Sequence, residues 1–112
     1  MKAKKCIECG LCKNTCPIYT AILRETVSPR GKAMLIKEGI TDEVFYLCTL
    51  CKACEVNCPL NLDLGLKEHR IEMIKKGIET EAGKKMIENI RKYGNPFGKI
   101  EKGKVPKDLY CC

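Results

Sequence analysis

The sequence predicts a mainly α-helical domain in which two cysteine loops are set among helices, with little or no β-sheet. Three observations carry this expectation. The run CIECGLCKNTCP, from Cys6 to Pro17, returns as CTLCKACEVNCP, from Cys48 to Pro59, with its cysteines and closing proline at one constant offset. The segments between and after the runs carry helix caps and apolar residues at helical spacing. No stretch alternates apolar and polar residues as a half-buried strand would.

The elements follow in order. Pro17 and Pro59 each close a run, and proline sits well in a first helical turn, so each also reads as the start of the next element. Ser28 and Pro29 read as an N-cap and first helical position for RGKAMLIKEG, which Gly39 can terminate. Thr41, Asp42 and Glu43 open a short helix through VFYL up to Cys48. A longer helix is expected from Asn61–Asp63 to Gly77, with Leu64, Ile71, Ile74 and Ile78 on one face. A last helix, Thr80 to Tyr93, has Met86, Ile90 and Tyr93 on a stripe and stops at Gly94-Asn95-Pro96. Residues 1–98 thus read as one domain and 99–112 as a tail.

Composition says what holds such a chain together. At 112 residues the core is modest, aromatics are only 5% and tryptophan is absent, while cysteine occurs ten times. So many cysteines mean either disulfides or metal. The N-terminal MKAKKC has no apolar stretch before a cleavage site, and no later window reaches the length of a membrane span. The expectation is a soluble, cytoplasmic protein without membrane insertion, where disulfides rarely persist.

A formal charge of +7 raises the question of nucleic acid. The lysines are spread over residues 2–5, 32–37, 67–76, 84–92 and 99–107, interleaved with glutamates and lacking an aromatic platform. They read as solvated helix faces, and no nucleic-acid partner is expected.

The spacing of the runs is C-x2-C-x2-C-x3-C-P, the bacterial-type iron-sulfur run. Thiolates at every third position can surround one corner of a cubane, and the fourth sulfur points elsewhere. In two-cluster proteins that fourth cysteine ligates the other cluster. The assignment is therefore Cys6, Cys9, Cys12 and Cys58 for one 4Fe-4S cluster, and Cys48, Cys51, Cys54 and Cys16 for a second. Zinc sites commonly use two separated C-x2-C pairs, and here zinc leaves ligands over. A zinc-folded binding or adaptor module without redox role stays as the alternative. The repeats differ where Gly10 corresponds to Lys52 and Lys13 to Glu55, substitutions that could separate two potentials or simply lie on the surface.

The two runs, with SPRGKAMLIKEG between them and KYGNPFG after them, resemble the helical two-cluster ferredoxin domain. That domain occurs in the iron-sulfur subunits of heterodisulfide reductase and glycolate oxidase, and in the corresponding subunit of anaerobic glycerol-3-phosphate dehydrogenase. The resemblance covers about residues 4–98. It implies single-electron relay between a flavin or soluble donor and a catalytic partner, either a flavoprotein or a cysteine-rich subunit of an oxidoreductase complex. Several members continue into a cysteine-rich catalytic domain, whereas this chain stops at PKDLYCC. It reads as a stand-alone electron-transfer subunit or a fragment, not catalytic alone. No nucleophile, acid-base pair or phosphate loop argues otherwise.

Three residues stand outside the runs. A disulfide between neighbours Cys111 and Cys112 would be strained, because adjacent α-carbons lie about 3.8 Å apart. An inert tail, contact with a partner's metal site and a redox role stay open for the pair. His69, in LKEHRIE, reads as part of a solvated helix face and not as a ligand. Abundant lysine and isoleucine with no glutamine hint at an anaerobe or thermophile.

Overall fold

The computed structural model describes residues 2–105, and among these the chain is helical, with no strand. It divides into two compact units, Met1–Ile78 and Glu79–Cys112. Cys111 and Cys112 lie outside the described residues.

In the first unit, each cysteine run leads into a short helix. The first run carries a 3-10 helix over Leu11–Thr15 and then α1, Pro17–Ile22, with proline in its first turn. The second carries α3, Ala53–Val56, but Pro59 opens a turn instead of a helix. Between the runs lie a 3-10 helix at Glu25–Val27, the helix α2 at Pro29–Lys37, and a 3-10 helix at Glu43–Tyr46. The cap of α2 is as expected: the Ser28 hydroxyl accepts from the Gly31 N–H at 2.9 Å and donates to the Glu25 carbonyl at 2.7 Å. Gly39, at φ 71°, provides the left-handed residue that follows the helix. Asp42 accepts from the Val44 N–H at 2.9 Å and so caps the next turn.

The helix after the second run, α4, spans Leu66–Lys75 and begins later than its sequence signals indicate. Asp63 accepts from the Gly65 N–H at 2.9 Å, so it closes a turn rather than capping the helix. The expected face is also corrected. Ile71 and Ile74 are exposed, whereas Leu66 and Met73 are buried. Leu64 and Ile78 lie outside the helix and pack on the core. The inward side of α4 includes His69 and Arg70, polar residues that an apolar pattern cannot register.

The core consists of Ala3, Val27, Ile36, Val44, Phe45, Leu66 and Met73. Phe45 is fully buried, and the His69 ring lies 4.3 Å from its own, tilted by 48°. His69 is therefore half-buried packing, not a solvated face, and its Nε2 is buried without a hydrogen-bond partner.

In the second unit, α5 spans Glu81–Tyr93, capped by Thr80, whose hydroxyl accepts from the Gly83 N–H at 3.0 Å. Gly94, at φ 76°, ends it. The NPFG segment then turns back on the helix, with the Asn89 amide donating to the Pro96 carbonyl at 3.0 Å. Ile87, Ile90 and Tyr93 are exposed. Among the described residues, no helix is long and apolar enough to cross a membrane.

Candidate metal centres

The two loops repeat in backbone conformation as well as in sequence. Glu8 and Gly10, on either side of Cys9, have φ of 61° and 80°. Their counterparts Leu50 and Lys52, on either side of Cys51, have φ of 57° and 61°. A left-handed conformation costs an ordinary residue about 1–2 kcal/mol. Three such non-glycine residues in two short loops mark a place where the chain is bent to a purpose. The bend sends the first three cysteines of each run around a common hollow. Only the glycine at position 10 advertised it in the sequence.

Two hollows result, and seven of the eight run cysteines divide between them in a crossed manner. One is lined by Cys6, Cys9, Cys12 and Cys58, with Arg30 and the apolar Ile7, Leu60, Leu62 and Leu64 around them. The other is lined by Cys16, Cys48, Cys51 and Cys54, with Ile18 and Leu66 among the apolar groups and Lys32 and Lys52 as the charged ones. Counting the space open to solvent, they enclose about 450 and 350 Å³. Cys54 and Pro29 line both, so the hollows share a wall. All eight thiols are free, and Cys9 and Cys51 are the exposed members of their sets.

The chemistry of these thiols suits metal more than it suits bare burial. Burial pushes the Cys54 thiol up to about 11, and Cys12 and Cys48 nearby add to the rise. Burial likewise raises Cys12, against backbone N–H groups that include that of Arg30. Cys51 is lowered, by the Thr49 hydroxyl first and the Ala53 N–H second. Further N–H groups already point at sulfur: Tyr19 to Cys16 Sγ and Leu50 to Cys48 Sγ, both at 3.4 Å. Thiolates packed this way need cationic metal to offset their mutual repulsion and lost hydration.

Two basic side chains hold the approach to the second run. Arg70 of α4 donates to the carbonyls of Phe45, Tyr46 and Cys48 at 2.9, 2.8 and 2.6 Å. Lys32 of α2 donates to the Val27 and Leu47 carbonyls at 2.9 and 2.5 Å. Four successive carbonyls, from Phe45 to Cys48, thus face buried or half-buried cations. Lys32 is only 2% exposed, so the reading of the lysines as solvated faces fails there. Residue type hid this, because a lysine reads as solvated even where Pro29 and Ile36, one turn to either side, are buried.

The charges singled out from the repeat are neutralised locally. Lys52, with its side chain 66% exposed, pairs with Asp63 at 3.3 Å and Glu55 at 3.5 Å. Lys13 pairs with Glu25 at 2.7 Å. Among the described residues, no group of three or more His, Cys, Asp or Glu side chains converges closely enough to hold a single metal ion.

Comparison with known proteins adds an independent line. A family model described as a 4Fe-4S dicluster domain matches residues 2–62. The glycolate oxidase iron-sulfur subunit of Escherichia coli is 31% identical over 92 residues, which is 75% of this chain and 22% of that protein. A subunit of the H2:CoB-CoM heterodisulfide,ferredoxin reductase of Methanothermobacter thermautotrophicus is 28% identical over 94 residues, 80% of this chain and 51% of that one. An iron-sulfur subunit of the CoB–CoM heterodisulfide reductase of Methanopyrus kandleri is 24% identical over 99 residues, 85% and 52% of the two chains. The chain therefore spans about a fifth of the first of these relatives and about half of the other two. No solved structure gives a significant match. The family model covers more than half of the chain and lies on both cysteine loops, and the chain belongs to the 4Fe-4S dicluster domain family.

Proposed function

We propose that the chain is an electron-transfer subunit holding two 4Fe-4S clusters. In this reading Cys6, Cys9, Cys12 and Cys58 bind one, and Cys48, Cys51, Cys54 and Cys16 bind the other. The observation that carries it is the crossed lining of the two hollows, in which the fourth cysteine of each run joins the first three of the other. A single tetrahedral zinc, with Zn–S near 2.3 Å, would draw its sulfurs to about 3.8 Å of one another. The two sets of four cysteines leave ligands over for such a site and match two cubanes instead. When bound, each cluster supplies a one-electron couple whose potential the protein tunes.

The chain's own contribution is to space, shield and address the two centres. The shared wall of Pro29 and Cys54 keeps the hollows adjacent, which suits electron passage from one to the other. Exposed Cys9 and Cys51 bring each site to the surface, where a partner's redox centre can approach. The relatives' names place similar chains in glycolate oxidase and heterodisulfide reductase complexes. By that likeness the partners are a flavoprotein or a cysteine-rich catalytic subunit.

Metal and sulfide analysis of protein purified without oxygen tests the reading, together with electron paramagnetic resonance after dithionite reduction. About eight iron and eight sulfide per chain, with spectra of interacting reduced clusters, are expected. Zinc without sulfide would overturn it. The crossing has its own test in paired variants. Cys9→Ser with Cys58→Ser strikes a single site and should leave about four iron, whereas Cys51→Ser with Cys58→Ser strikes both. The reverse ranking would show that each run binds its own cluster.

A further inference from the structure

The two hollows differ in one buried lining charge, and half-buried Arg70 stands behind the same hollow on the Cys48 carbonyl. The site of Cys16, Cys48, Cys51 and Cys54 has Lys32 in its wall, 2% exposed, its Nζ held by the Val27 and Leu47 carbonyls. No carboxylate pairs with it among the described residues. The other charged group there, Lys52, is exposed and bridged to Asp63 and Glu55. At the site of Cys6, Cys9, Cys12 and Cys58 the lining charge is Arg30, whose Nε donates to Glu25 at 2.7 Å and whose side chain is 31% exposed. Lys13 meets the same carboxylate at 2.7 Å, and Lys37 is paired with Glu8 at 2.7 Å. Arg30, Lys13 and Lys37 thus each have an anion beside them and access to water.

These environments do not weigh equally on an electron. A paired, hydrated charge is largely offset by its partner and by water, whereas an unpaired buried one acts through a medium of low dielectric. Reduction adds one negative charge to a cluster, so the site beside the unpaired cation accepts it more readily. Lys32 is tethered by two carbonyls and cannot swing away to solvent.

We propose that Lys32 sets the order of the two potentials, holding the cluster at Cys16, Cys48, Cys51 and Cys54 above the one at Cys6, Cys9, Cys12 and Cys58. This rests on the two-cluster reading above. The transfer is one electron: the first cluster is oxidised as the second is reduced, with no bond broken and no proton moved. The electron therefore enters on the side of exposed Cys9 and leaves on the side of exposed Cys51. A donor docks at the first loop and an acceptor at the second.

The test is an anaerobic redox titration of the loaded protein, followed by electron paramagnetic resonance, on the wild type and three variants. In Lys32→Met the higher potential should move to a more negative value while the lower stays. Lys32→Arg, which keeps the charge, should restore it. Glu25→Gln, which leaves Arg30 and Lys13 without their anion, should raise the lower potential alone. The inference is overturned if Lys32→Met moves neither potential, moves both equally, or moves the same one as Glu25→Gln. Should Lys32→Met fail to load iron, Glu25→Gln decides: it must move only the lower wave, and any other result rejects the scheme. Wild-type protein with far fewer than about eight iron refutes the two-cluster reading itself. A full iron complement with coincident waves refutes only the role of Lys32.

Discussion

A β-carbon placed on Gly31 would stand 1.9 Å from the carbonyl oxygen of Glu25. The first turn of α2 is therefore pressed against the preceding 3-10 helix with no room for any side chain. Pro29 and Arg30, which line the metal sites, are positioned by that contact. Gly31→Ala should push the two backbones apart, at a cost of about 1–3 kcal/mol or more. Iron content and thermal unfolding would both fall. Unchanged values would mean that α2 does not hold the sites together.

The matching residues Gly10 and Lys52 share a left-handed backbone but not a side chain, and their surroundings explain why. A β-carbon on Gly10 would meet Arg30 Nη1 at 3.0 Å, whereas Lys52 extends outward to Asp63 and Glu55. Exchange of the residues should therefore be asymmetric. Lys52→Gly relieves about 1–2 kcal/mol of backbone strain and loses only exposed, solvent-screened ion pairs, so thermal stability should hold or rise. Gly10→Lys introduces the strain and displaces Arg30, and should lower both melting temperature and iron content. Equal losses in the two variants would argue that side-chain space, not conformation, governs these positions.

These cases show what the sequence disclosed. The two cysteine runs were legible because a repeat of thiols is a local pattern, whereas the crossed grouping was expected from the habit of two-cluster proteins and not from spacing. The Ser28 and Thr80 caps were legible for the same reason. Lys32 and Arg70 were not, since both are ordinary helical residues whose partners are backbone carbonyls from distant segments, and carbonyls leave no mark in a sequence. His69 was misread for a related reason: its burial depends on where Phe45 comes to lie. The face of α4 failed because a pattern of apolar residues cannot show that a histidine and an arginine take the inward places.

Loss of metal should unfold the first unit. Its core comprises Ala3, Val27, Ile36, Val44, Phe45, Leu66 and Met73, of which only Phe45 is aromatic. So few apolar side chains cannot by themselves fix loops that carry three strained residues, and binding energy must supply much of the fold. Far-UV circular dichroism before and after cluster removal should show helix loss and no cooperative melt. An apo-protein that keeps its helical signal and melts sharply would count against this.

The packing of His69 on Phe45 gives stability a dependence on pH. Burial lowers its pKa from the usual 6.5, overcoming the attraction of Glu72, and Lys76 adds slightly to the fall. The unfolded chain therefore takes up the proton first as pH drops. Stability from this group is complete above the unfolded value and declines as pH falls below about 6.5 toward the folded one. Thermal midpoints of loaded protein should decrease between about pH 7.5 and about pH 5.5. In His69→Phe, which keeps an aromatic ring against Phe45 and has no proton to gain, that decrease should shrink. It should also remove the cost of the unpartnered Nε2, about 1–3 kcal/mol for a fully buried polar atom and less at this half-buried ring. An equal acid slope in wild type and variant would place the acid sensitivity in the metal sites instead of at His69.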